Sequence, residues 1–244
     1  MRGNRRATHG AQSPAGRCYG PPVKLSVIIP ALDEADRVAA AVSSASAPGV
    51  EVIVVDGGSA DATASRAAAA GARVVPAPPG RARQLARGIC ESRGDVLLFL
   101  HADTRLPPAF EGAVQEALRK HETLGGAFRL RFDRQSPSLR LIELGARARA
   151  ALFGLPYGDQ ALFVRRATLD AMGGMPQVPV MEDLDLVRAI RRRGRLALLP
   201  LAVTTSARRH RAHGPLRTAL RHNLATLAWA LGAERGRIAA WLRR

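Results

Sequence analysis

Short acid-bearing stretches stand out along the chain: Asp33-Glu34, Asp56 followed by Gly57-Gly58-Ser59, His101-Ala102-Asp103, and Glu182-Asp183. Carboxylates brought to one place repel each other unless a cation or hydrogen-bond donors are bound there. A hard divalent ion takes oxygen ligands, commonly one or two carboxylates together with substrate phosphates. Such a set suits a nucleotide diphosphate and its metal, and a further carboxylate suits removal of a proton from a hydroxyl.

The first three stretches each follow a run that reads as a buried strand. Residues 25–29 end at Pro30 and lead to Asp33 and Glu34; residues 51–55 lead to Asp56; residues 95–100 lead to His101 and Asp103. A further strand at 73–75 and helices at 35–46, 61–70 and 81–92 separate them. Strands alternating with helices at this spacing predict a parallel sheet covered on both faces. Ligands bind such sheets beyond the carboxyl ends of the strands, which is where the acids stand. Beyond residue 106 the order is mixed, with helices at 107–120, 137–152 and 182–193 and strands at 125–133, 161–164, 195–199 and 202–206. The class is α/β with a mostly parallel central sheet and helices on both faces.

Two common phosphate-binding loops are absent. No Gly-x-Gly-x-x-Gly follows the first strand, and no Gly-Lys-Ser/Thr occurs. The ordered set Val27-Ile-Ile-Pro-Ala-Leu-Asp-Glu34, Asp56-Gly-Gly-Ser-Ala-Asp-Ala-Thr63, His101-Ala-Asp103 and Glu182-Asp183 resembles glycosyltransferase family 2, over residues 24–206. Gly80-Arg81-Ala-Arg-Gln84, Tyr157-Gly-Asp-Gln160 and Ser206-Ala-Arg-Arg209 are similar to a compact bacterial branch of it.

The resemblance implies a Rossmann-like GT-A fold and an inverting, metal-assisted transfer from a nucleotide-diphosphate sugar, uridine-linked by default. In that reading Pro30 and Glu34 shape the loop against the nucleoside. Asp56 accepts a hydrogen bond from the base, beside Gly58 and Ser59. Arg81 contacts the donor, Asp103 holds Mg2+ or Mn2+, and Asp183 is the general base. Gly158, Asp159, Gln160 and Glu182 are candidate contacts to the acceptor or the donor sugar, and Glu182 would help Asp183 through like charge. The chain departs from the family's acid-x-acid metal motif at its first place, where His101 stands as a weak or outer ligand. It also lacks the Gln-x-x-Arg-Trp motif of processive synthases, so a non-processive enzyme is expected. A nucleotide-sugar-binding protein that has lost catalysis is the alternative, which the presence of Asp183 opposes.

Charge and composition set the surroundings. The chain has 244 residues, a net charge of +17 and only 4% aromatic residues. The excess sits at the ends: residues 1–24 hold five basic groups and no acid, and residues 186–244 hold fourteen arginines and one acid, Glu234. Residues 1–23 read as a disordered basic leader, residues 24–210 as the GT-A domain, and residues 211–244 as a basic amphipathic helical segment. In that segment Leu216, Leu220, Leu224, Leu227 and Leu231 fall on one helical face. The face could pack back on the sheet, or rest on a membrane beside a lipid or carotenoid-type apolar acceptor. The acceptor, through a hydroxyl or a carboxyl, stays open. No apolar run is long enough to span a bilayer, and the two cysteines form no disulfide framework, so a cytoplasmic place is expected, with or without contact at the inner face of the cell membrane. Cys90 is expected to be a packed small residue. Low aromatic content and the lack of a base-reading module exclude nucleic acid as partner.

Overall fold

The computed structural model describes residues 24–208, 210 and 214–243. The expected leader at 1–23, and Arg209 of the Ser206–Arg209 motif, lie outside the described residues. Eight strands form one sheet in the order β3-β2-β1-β4-β7-β6-β8-β5. They are β1 (Leu25–Ala31), β2 (Val50–Asp56), β3 (Arg73–Pro76), β4 (Val96–Phe99), β5 (Thr104–Arg105), β6 (Thr123–Phe132), β7 (Phe163–Arg165) and β8 (Arg195–Thr205). Only β7 and β5 run against the rest, so the sheet is mostly parallel as expected.

Side chains alternate across each strand. On β1, Val27 and Ile29 enter one buried cluster and Ile28 the other. Helices α1 (Val38–Ala45), α2 (Thr63–Ala69) and α4 (Phe110–Ala117) cover the first face. Helices α3 (Arg81–Glu91), α6 (Arg166–Ala171) and α7 (Glu182–Arg191) cover the second. Helix α3 lies very close to the sheet because Gly88 has no side chain: a Cβ there would meet Ile28 and Val55. The packing face of α3 is taken by Leu85, Gly88 and Ile89, so Cys90 points away and is exposed, contrary to the packed position expected for it.

The strands expected at 195–199 and 202–206 are one strand, β8. It stays paired with β6 across two register irregularities, the second of which, between Ala127 and Arg129, takes up Pro200 and Leu201. Three helices complete the chain: α5 (Pro137–Phe153), α8 (Pro215–Ala230) and α9 (Arg235–Arg243). Helix α8 packs through Ala225 and Trp229 onto Leu184 of α7 and Ile238 of α9. Its leucine stripe is not part of that contact; all five leucines are exposed.

Candidate active site

Strands β2 and β4 flank β1 in parallel, so their carboxyl ends open on the same edge of the sheet. The loop after β1 is laced to the loop after β2. The Asp33 amide donates to Ser59 Oγ at 3.0 Å, the Ala60 amide to Asp33 Oδ1 at 2.9 Å, and the Glu34 amide to Thr63 Oγ1 at 2.8 Å. Asp33 holds a left-handed backbone, φ 52°, to make this turn. Asp56 accepts from the amides of Gly58 and Ser59, at 3.2 and 3.1 Å, and from the Ser59 hydroxyl. Pro30, one residue from the end of β1, pairs with Val55 beside this turn. Pro30, Glu34, Asp56, Gly58 and Ser59, named from the sequence, thus stand on one hydrogen-bonded platform.

Gln84 is a residue whose role the sequence did not disclose. Its buried side-chain amide donates to the carbonyls of Ala31 and Val55, each at 2.8 Å, and so clamps the ends of β1 and β2. A Cβ on Gly57 would stand 3.0 Å from that amide nitrogen. Glu34 is half-enclosed and meets Arg208 Nη2 at 2.6 Å and Arg37 Nη1 at 3.6 Å. Arg208 thereby draws the segment after β8 onto the platform.

A second group gathers around the turn Gly158–Gln160. The Gly158 amide donates to Asp183 Oδ2 at 2.6 Å, while Asp183 Oδ1 accepts from the Leu184 amide at 2.9 Å. Arg81 Nε lies 3.1 Å from Glu182 Oε1, an ion pair whose N–H is not aligned for a hydrogen bond. Glu182 is only 3% exposed, and its burial pushes its carboxyl above the ordinary range against the pull of Arg81. Its observed contact is with Arg81, at the first turn of α7. Gln160 is buried and uses both ends of its amide on the backbone, donating to Phe128 O at 2.9 Å and accepting from Tyr157 N at 3.1 Å. Asp185 belongs to another network: it accepts from Trp229 Nε1 at 2.8 Å and pairs with Arg235 at 2.7 Å.

Asp159 is the unusual member. The residue keeps some surface, but its Oδ1 is enclosed and meets no donor among the described residues. Its pKa is pushed up to about 6, by burial first, with Asp183 and Asp103 adding negative charge and Arg149 and Arg81 opposing. Asp103, Asp159 and Asp183 therefore share one electrostatic environment. Asp56 has no part in that coupling; it lies across β1, on the platform. Asp103 follows β4 and accepts from Thr104 Oγ1 at 3.5 Å, while its carbonyl accepts from the Ser206 amide at 3.1 Å. His101 stands on the same turn, its carbonyl accepting from Thr104 N at 3.1 Å.

No three His, Cys, Asp or Glu side chains among the described residues form a ready cage for a metal. The donor set instead fits a hard cation that arrives with phosphate oxygens as its other ligands. The Asp103 carboxylate, in a 3.5 Å contact with Thr104, and the enclosed Asp159 oxygen are of the type that such a cation takes.

Comparison with known proteins agrees with this geometry. The sequence model of glycosyl transferase family 2 matches residues 26–166, and the chain belongs to that family. It is 42% identical over 92 residues to the glucosyl-3-phosphoglycerate synthase of Mycolicibacterium paratuberculosis, a match covering 32% of this chain and 28% of that protein. The chain thus matches less than a third of the length of this curated relative. Among solved structures, the glucosyl-3-phosphoglycerate synthase of Mycobacterium tuberculosis with Mn2+, uridine diphosphate and glucosyl-3-phosphoglycerate superposes with a TM-score of 0.64 at 25% identity, over 87% of this chain and 81% of that one. The same enzyme with Mn2+, uridine-diphosphate-glucose and phosphoglyceric acid gives a TM-score of 0.64 at 26% identity, with the same coverage of both chains. The fold is the GT-A arrangement expected.

Proposed function

We propose that this chain transfers a glucosyl group from uridine-diphosphate-glucose to an acceptor hydroxyl, non-processively and with inversion. The carrying observation is the meeting of Asp183 and Arg81 at Gly158, next in the chain to Asp159, with the charge of Asp103 reaching Asp159. The donor and the choice of Mn2+ or Mg2+ follow what is bound in the solved relatives, and the donor set at Asp103 fits them.

Asp56 accepts from the uracil N–H, and the β1 loop at Pro30 and Glu34 lines the nucleoside, with Gly58 and Ser59 giving the base room. Asp103 would hold the cation, whose chemistry when bound would be to offset the charge that grows on the leaving group. The acceptor oxygen forms its bond to the anomeric carbon as the bond to the diphosphate oxygen breaks. The acceptor proton passes to Asp183, which Gly158 N and Leu184 N fix in place while each oxygen keeps a second lone pair. Arg81, tethered by Glu182, faces the transferred sugar or its diphosphate.

The acceptor class in this reading is a small phosphorylated hydroxy acid, as in the Mycobacterium tuberculosis complexes. The guanidinium of Arg149, stacked over Tyr157 and with its charge reaching Asp159, supports it. A second reading, an apolar or lipid-linked acceptor, rests on the exposed leucines of α8. Purified protein with uridine-diphosphate-glucose and Mn2+ should release uridine diphosphate when 3-phosphoglycerate is added. Release stimulated only by polyprenyl phosphate would select the second reading. Tight donor binding without any turnover on either acceptor would leave a binding protein.

A further inference from the structure

Of the twelve large apolar side chains exposed among the described residues, ten belong to α5, α8 and α9 or their ends. These helices are neighbours, with α8 lying against both α5 and α9. On α5, Leu141, Leu144 and Leu152 recur at helical spacing and are exposed. On α8, Leu216, Leu220, Leu224 and Leu227 do the same. The outward register of α8 is set by polar ties on its other face: Thr226 Oγ1 meets the Tyr157 hydroxyl at 2.6 Å, and Trp229 Nε1 donates to Asp185 at 2.8 Å. The leucines cannot turn inward without breaking both.

The charges around them are mostly positive, with the exposed Glu234 just before α9 as an exception. Arg140, Arg147, Arg217 and Arg237 are exposed on these helices. The one acid of α5, Glu143, accepts from the Phe132 amide at 2.7 Å, and α8 and α9 contain no acid. Beside the stripe, Arg188, Arg191 and Arg192 line a hollow of ≈ 380 Å³ with Leu155, Trp229 and Ala230. Arg188 stacks 3.7 Å over the Trp229 ring, and Arg191 donates to the Phe153 carbonyl at 2.5 Å. A second copy of this chain applied to the same face would set arginines against arginines. An anionic bilayer offers both an apolar layer for the leucines and phosphates for the arginines.

We propose that α5 and α8 form a docking face for an anionic membrane surface, with a lipid headgroup phosphate in the arginine-lined hollow. This inference is independent of the donor and acceptor assigned above. The test is flotation of the full chain with vesicles of phosphatidylcholine, with and without phosphatidylglycerol. Binding is expected to the anionic vesicles and weakly or not at all to the neutral ones. Leu220→Ser with Leu227→Ser leaves the charge unchanged and should cut anionic binding about tenfold or more. Arg192→Glu with Arg217→Glu should cut it as well, with uridine diphosphate affinity retained in both variants as the check on folding. Unchanged binding of the leucine variant would overturn the proposal, since attraction by scattered charge would then suffice. A dimer in light scattering that the leucine variant dissolves would overturn it in favour of a second copy.

Discussion

The amide of Gly158 and the carboxylate of Asp183 meet at 2.6 Å, joining the turn before β7 to the first turn of α7. This bond joins the Asp183 carboxylate to the turn that holds the enclosed acid Asp159, beside the Arg81–Glu182 pair.

Gly158 leaves no space for a larger residue. A Cβ there would collide with the Arg81 guanidinium and come within 2.9 Å of Asp183 Oδ2. Gly158→Ala should therefore lower kcat by about 100-fold, because a shift of about 1 Å in a reacting group costs that much. Tm should move little. Steady-state kinetics beside a thermal melt would show this, and wild-type kcat in the variant would remove Asp183 from the base position.

Asp103 is the residue assigned to the cation. Asp103→Ala should reduce turnover by about 1,000-fold and weaken Mn2+ binding in the presence of uridine diphosphate. Mn2+ titration followed by electron paramagnetic resonance reads the second effect without any reliance on activity. Retained Mn2+ affinity would place the metal elsewhere.

Asp159 gives a pH signature. Its folded value of about 6 lies above the ordinary 3.8, so the folded chain holds this proton more tightly than the unfolded chain. The group's stabilising contribution is full below the ordinary value and is lost as pH rises through about 6. With divalent metal removed by chelator, Asp159→Asn should gain stability over wild type between pH 4 and pH 7 by at most about 3 kcal/mol. Urea unfolding at the two pH values measures it, and parallel pH profiles for both proteins would contradict it.

Gln84→Ala tests the clamp between β1 and β2. It leaves the Ala31 and Val55 carbonyls without their side-chain donor in a buried place. The expected cost is about 1–3 kcal/mol in chemical denaturation. Weaker donor binding should accompany it, since the Asp56 platform rests on those strand ends. An unaffected urea midpoint would show that the clamp is dispensable.

The alternation of strands and helices up to residue 100 was plain in the sequence, because each buried strand is a short apolar run followed at once by polar turn residues. So were the carboxylates at the strand ends, since their types and order carry the family pattern. Less was legible wherever a side chain acts over long sequence distance. Nothing local in Gln84 points to two carbonyls on separate strands. Glu182 carries the same charge as Asp183 but lies inside, paired with a residue 101 positions earlier. The sequence reads as two short strands at 195–199 and 202–206, whereas pairing to β6 makes them the single strand β8. The outward turn of the α8 leucines was hidden for a related reason: hydrophobic periodicity locates a stripe but not which side of the helix the tertiary ties will hold.

Those same ties make α8 a lever. Thr226 grips the hydroxyl of Tyr157, whose next neighbour in the chain, Gly158, positions Asp183. If Asp183 takes the acceptor proton as proposed, a force that tilts this helix would travel through three residues to it, and the rate of turnover would become a gauge of what leans on the outer surface of the molecule.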